Sequence, residues 1–237
     1  MNIFEGLEDT IFKGFDDRNT IIEAIGMPGV GKSYICAHYR DQCMEKNGGI
    51  IYHSIDNYCS NFFIRLLHKI SIIFKGIVVS PRILRINFMM VMCFNNIKGL
   101  IKFRLFINLL LISSIISTNR SRLKPILFDQ GLFQALWSCY FYNQEPLNSK
   151  ISSSLTGLVN QLMDHLTLTN VIVFEVSSDK ATILSRLATR KIKGSSPINS
   201  LEESLINLGI DATISTRNLV LDLARNSNRV IVYEIKN

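Results

Sequence analysis

Residues Gly26 to Ser33 read Gly-Met-Pro-Gly-Val-Gly-Lys-Ser. Glycines at this spacing ahead of a Lys-Ser pair suit the holding of phosphate. Without a Cβ, glycine lets successive backbone N–H groups curl around phosphate oxygens. Lys32 can reach the β- and γ-phosphates of a triphosphate, and the Ser33 hydroxyl can bind Mg²⁺. The letters fit the P-loop pattern G-x-x-x-x-G-K-[ST]. Their surroundings fit as well. Thr20 to Ile25 is a short apolar run of strand type, and Tyr34 to Met44 can continue as a helix. In that order the helix start adds unpaired N–H groups and the positive end of its dipole. Nucleotide contacts therefore fall to Met27, Pro28, Gly29, Val30, Gly31, Lys32, Ser33 and Tyr34. The plainer alternative is a glycine turn that happens to precede Lys-Ser. Both correct flanks weigh against it.

Two further constellations could join the first. Pro125-Ile-Leu-Phe-Asp129-Gln130-Gly131 is an apolar strand that ends in an acid. Beside a P-loop, Asp129 could orient Mg²⁺ or accept the proton of an attacking hydroxyl. Its alternative role is to cap the next helix. Arg186 and Arg190 stand four residues apart and so share one helix face. Lys191, Lys193 and a Gly-Ser-Ser-Pro loop follow. A basic loop of this kind suits closure over a triphosphate, where it would stabilise charge as a phosphoryl group moves. The alternative is a solvated helix end with favourable C-terminal cations.

The elements that must position these residues can be read from hydrophobic pattern and breakers. Expected strands are 20–25, 49–56, 125–129, 170–176 and 229–235. Gly48-Gly49 ends the first helix. Helices are expected over 131–142 and 151–166, from a cap at Asp179 to about 191, and in pieces from about 200 to Ala224. The stretch 61–118 reads as several helices, broken near Gly76, near Ser80-Pro81 and at 95–99. Asn2 to Arg18 reads as a short amphipathic helix rather than a secretory signal. Strands alternating with helices predict α/β architecture, a parallel sheet covered on both faces. One domain over 1–237 is expected, with a helical insert at 57–124 and a lid loop at 190–200.

Composition narrows the class. The 237 residues are 47% hydrophobic, ample for one core. Five cysteines with no C-x-x-C pair suit a reducing cytosol and pack as small hydrophobes. Four histidines lack metal-ligand spacing and read as structural or surface residues. The net charge of +7 is unevenly spread. Between Asn61 and Lys124 lie 11 Lys and Arg residues and no acid, leaving 15 basic against 19 acidic residues elsewhere. Within that segment 86–97 and 105–119 are free of charge. Each is shorter than the roughly 20 apolar residues of a spanning helix, so buried helices are expected.

The glycine loop, the strand-three acid and the Arg186/Arg190 helix together resemble the P-loop kinases of nucleosides and nucleotides, the thymidylate kinase-like branch in particular. The resemblance covers about 20–60 and 125–237. It implies a three-layer fold with a five-stranded parallel sheet in the order 2-3-1-4-5. It implies ATP and Mg²⁺ as cofactors, with the metal at Ser33 and Asp129. Lys32, Asp129, Arg186 and Arg190 take the catalytic roles, and the loop 225–228 lies near the adenine. The family commonly has Arg after the strand-three acid, where this chain has Gln130. Asp56 and Gln130 are the candidate acceptor contacts. The expected function is transfer of the γ-phosphate of ATP to a hydroxyl or phosphate acceptor, at a cytoplasmic site or peripherally on the inner face of a membrane. Two alternatives stand beside it: a nucleotide-binding regulatory ATPase, and an ATP-switched protein that docks on an anionic membrane or on nucleic acid, nucleic acid being the less favoured partner. The basic segment, including Lys98, Lys102 and Arg104, would supply the docking face.

Overall fold

The computed structural model describes residues 19–45, 50–53, 62–120, 124–191 and 203–236. The amphipathic stretch 2–18, Gly48-Gly49, Asp56 and the 192–200 part of the lid loop lie outside the described residues. Five strands form one sheet: β1 Thr20–Ile25, β2 Ile51–His53, β3 Ile126–Phe128, β4 Asn170–Ser177 and β5 Val230–Lys236. Their order is β2-β3-β1-β4-β5, and every pairing is parallel. Among the described residues there are eight helices: α1 Lys32–Glu45, α2 Phe62–Val79, α3 Arg82–Met92, α4 Gly99–Asn119, α5 Leu132–Asn143, α6 Ser149–His165, α7 Lys180–Lys191 and α8 Glu203–Asn226.

β1 sits in the middle of the sheet and is buried along its whole length. Successive strand residues point to opposite faces, so neighbours on β1 report both sides. Glu23 accepts a hydrogen bond from the start of α5. Ala24, the next residue, pairs with Phe174, whose ring meets Tyr39 of α1 edge-on at 5.3 Å. α5 therefore covers one face and α1 the other, giving the helix–sheet–helix layering that a buried parallel sheet requires.

The insert between β2 and β3 contributes α2, α3 and α4. α4 packs against α2, α3 and α5 and so links the insert to the sheet. Ser80-Pro81 does separate two helices, with Pro81 in the N-cap position of α3. Gly76 does not break anything: α2 runs through it. A Cβ there would stand 2.6 Å from the Cα of Ser114 on α4. The glycine is a point of close helix approach, a use that looks the same in sequence as a breaker. Buried Asn87 of α3 donates to Ser113 Oγ of α4 at 3.0 Å and fixes the other crossing.

Two more expectations need correction. α8 is a single helix rather than several pieces. α4 is 21 residues long and, by length and composition alone, sufficient to cross a membrane. The charge-free run 105–119 is only part of the helix, which begins before Lys102 and Arg104. Its apolar middle is covered by protein: Leu105 and every residue from Leu109 to Ser117 are buried.

Candidate functional site

The loop 26–33 leaves the C-terminal end of β1 and enters α1. Gly26, Gly29 and Gly31 all have positive φ, at 143°, 94° and 102°. Side chains rarely adopt such angles. At Gly26 a Cβ would also collide with the carbonyl oxygen of Val176 on β4. Met27 and Val30 turn their side chains into the core, so of these two candidate contacts only the backbone can face a ligand. Pro28, Gly29, Gly31, Lys32 and Ser33 line a cleft of about 320 Å³ together with Asp129 and Gln130. Tyr34 is exposed and its ring stacks on His38 at 6.3 Å.

Lys32 Nζ donates to the carbonyl oxygens of Gly26 at 2.7 Å and Met27 at 3.1 Å. Its ammonium is thus held at the mouth of the loop. Arg186 reaches the same loop across more than 150 residues of sequence: its Nη1 donates to Gly29 O at 3.2 Å and Val30 O at 3.1 Å. α7 starts where the sequence suggested, with Asp179 accepting from Thr182 N at 2.8 Å. Arg190 falls in the last turn of that helix, and its side chain lies outside the described residues.

Asp129 is buried at the end of β3, and its N–H donates to His53 O at 3.2 Å. It does not cap α5. The N-cap position belongs to Gly131, and the capping carboxylate comes from the neighbouring strand. Phe133 N donates to Glu23 at 3.0 Å to Oε1 and 3.1 Å to Oε2. Burial pushes the Glu23 carboxyl up to about 7, against the lowering effect of the Phe133 and Gln134 backbone N–H groups. A Cβ at 131 would lie 2.7 Å from Glu23 Cδ, so a larger residue there would have to displace that carboxylate. Cys36, directly beneath, donates weakly to Phe128 O at 3.7 Å. Burial, with the Asp129 charge second, pushes its thiol up to about 12, so it is inert packing.

The insert supplies the opposite wall. Arg104 and Asn108, one turn apart on α4, and Gln134 and Trp137 on α5 line the same cleft. Asn108, Gln130, Gln134 and Ser138 also line an adjoining chamber of about 80 Å³, closed by His53, Lys69 and Phe128. Gln134 is buried, and its Oε1 has no hydrogen-bond partner among the described residues. Burial, then the Arg65 and Arg104 charges, lower the pKa of Lys69.

The cleft joins the phosphate-suited donors of the glycine loop to the amide side chains and Arg104 of the opposite wall. Among the described residues no group of three or more His, Cys, Asp or Glu could hold a metal. A cation here would rest on the Ser33 hydroxyl, the Asp129 carboxylate and oxygens of the ligand, the all-oxygen set that Mg²⁺ prefers. Sequence reasoning brought Lys32, Ser33, Asp129, Gln130 and Arg186 to the site. It missed Glu23, Asn108 and Gln134, and it gave Arg104 to a docking face where the structure puts it in the cleft. Glu23 had a signal, a lone carboxylate in an apolar strand. Arg104 and Asn108 depend on how the insert folds back, and Gln134 on the turn after β3; none of the three had one. No family model and no curated protein matches the chain.

Proposed function

We propose that the protein is an ATP- and Mg²⁺-dependent phosphotransferase acting on a small polar acceptor. One observation carries this reading: Lys32, Ser33 and Asp129 line one cleft with Arg104, and that cleft shares Asn108, Gln130, Gln134 and Ser138 with an adjoining chamber of mixed polar and apolar lining. The loop N–H groups and Lys32 hold the triphosphate. Ser33 and Asp129 take the metal, and Asp129 is also placed to accept a proton from an acceptor hydroxyl. Arg104 and Lys32 offer positive charge from opposite walls to the phosphoryl group in flight. The resemblance to thymidylate kinase-like proteins agrees with this division of labour. Gln130 changes one part of it. An amide both donates and accepts but carries no charge, so an acceptor phosphate would have to find its cation in Arg104 or Lys69. A pure ATPase is the less favoured reading, because no carboxylate follows Asp129 to polarise water.

Direct binding and turnover test the proposal. ATP·Mg²⁺ binding by calorimetry and a screen of acceptors with labelled ATP should both be positive for the wild type. Lys32→Ala should lower transfer by about 10²–10³-fold while the far-UV spectrum stays unchanged. A variant with wild-type ATP affinity and turnover would remove Lys32, and with it the phosphate loop, from the mechanism.

A further inference from the structure

The insert is amphipathic in an inverted sense. α2 packs on α4 through a stripe that includes Arg65, Lys69 and Gly76, which are half-buried or buried. Its opposite face, turned to solvent, is apolar. Ile64, Leu67, Ile70, Phe74 and Val78 recur at spacings of three and four and are 53%, 66%, 53%, 68% and 66% exposed. That spacing sets them on one helix face. α3 adds exposed Phe88 and Met92, and the start of α4 adds Leu100, at 88% the most exposed. A folded chain seldom leaves an apolar helix face of this length in water unless something covers it.

We propose that this face docks on an anionic lipid bilayer, with α2 lying in the interface. Charge decides among the possible occupants. The exposed cations Lys75, Arg82, Arg85 and Lys98 stand on the same three helices or at their ends. The whole stretch from Asn61 to Lys124 contains no acid to offset them. A second copy of the chain would place two such cationic faces against each other, since a two-fold interface is self-complementary. Nucleic acid would satisfy the cations but not a row of Leu, Ile, Val and Phe side chains. A bilayer with anionic headgroups satisfies both, taking apolar side chains to the depth of the acyl boundary and cations at the headgroup level. The site is peripheral. α4 has the length to span, but its apolar middle is already covered by α2, α3 and α5, so the contact is made by the outer faces. Arg104 faces the cleft and is no part of this surface.

The inference does not depend on phosphotransfer, and its test contains no nucleotide. The full-length protein is sedimented with vesicles of phosphatidylcholine alone or with about 30 mol % phosphatidylserine. Binding should occur to the anionic vesicles, be at least about tenfold weaker on the neutral ones, and fall steeply with added salt. The triple change Lys75→Gln, Arg82→Gln, Arg85→Gln should weaken it on the order of a hundredfold. The double change Leu67→Ser, Phe74→Ser should weaken it at least about tenfold, and both positions are exposed enough to leave the fold intact by circular dichroism. Three results would overturn the proposal: no sedimentation with anionic vesicles at low salt, vesicle binding that neither variant alters, or a wild-type dimer dissociated by the double change while vesicles are ignored. The last would assign the face to a second copy. Salt-sensitive RNA binding without vesicle binding would assign the cations to nucleic acid.

Discussion

At the scale of single residues, the site rests on two cations that treat the loop differently. Lys32 donates to carbonyls at the loop's first turn, within reach of its mouth. Arg186 donates to carbonyls of Gly29 and Val30 through one nitrogen. A guanidinium has five N–H donors in a fixed fork, so contact with the loop leaves others for a ligand. Arg186 makes no further hydrogen bond with the described residues through Nη2 or Nε. Arg186→Ala should therefore lower transfer by about 10²–10³-fold while ATP affinity changes by less than about tenfold, as expected for a charge that acts mainly in the transition state. Stopped steady-state assays with titrated ATP separate the two. Full turnover with a lowered melting temperature would make Arg186 a fastener of α7 to the loop and nothing more. Lys32 was legible from the motif alone. The contact of Arg186 was legible only as a shared helix face, because no spacing rule says which carbonyls a distant arginine will meet.

Elements tell a different story about legibility. Alternation of strands and helices gave the parallel sheet, and strands 20–25, 170–176 and 229–235 agree with the observed ones to within a residue at either end. The insert was legible only in part: the expected breaks at Ser80-Pro81 and 95–99 do lie between helices, and the one at Gly76 does not. α2 turns an apolar face to solvent and α4 is apolar nearly all round, so hydrophobic period does not mark the buried side. Gly76 illustrates the difficulty. In an exposed helix, Gly→Ala gains about 1 kcal/mol of helix propensity. Here the new methyl would meet Ser114 Cα at 2.6 Å, on the backbone of a neighbouring helix that cannot rotate away. Gly76→Ala should instead destabilise by about 1–3 kcal/mol, the usual effect of overpacking. Ser114→Gly in the same chain should restore part of the loss, and a double-mutant cycle by urea denaturation measures the coupling. Additive effects would mean that α2 and α4 do not meet at this point.

For the molecule as a whole, the centre of the sheet carries an unusual load. Glu23 lies on the middle strand, fully buried, and ties that strand to the start of α5, immediately after Asp129 and Gln130. The same acid thus joins the sheet to the turn that shapes the cleft. Its carboxyl is raised from 4.5 to about 7 because burial outweighs the hydrogen bonds. The folded state therefore holds the proton more tightly than the unfolded chain does. Stability from this group is full below about pH 4.5, falls as pH rises toward 7, and levels off above that. Across the window the loss amounts to about 3 kcal/mol at most, taking 1.36 kcal/mol for each unit. Glu23→Gln keeps the shape and an acceptor for Phe133 N–H but cannot ionise. Urea midpoints measured from pH 5 to 8 should decline for the wild type and stay level for the variant, so the variant gains relative stability toward pH 8. The two curves running parallel would mean that Glu23 ionises in the folded protein as readily as in the unfolded chain. A single buried acid would then have no part in setting how firmly the sheet holds the cleft.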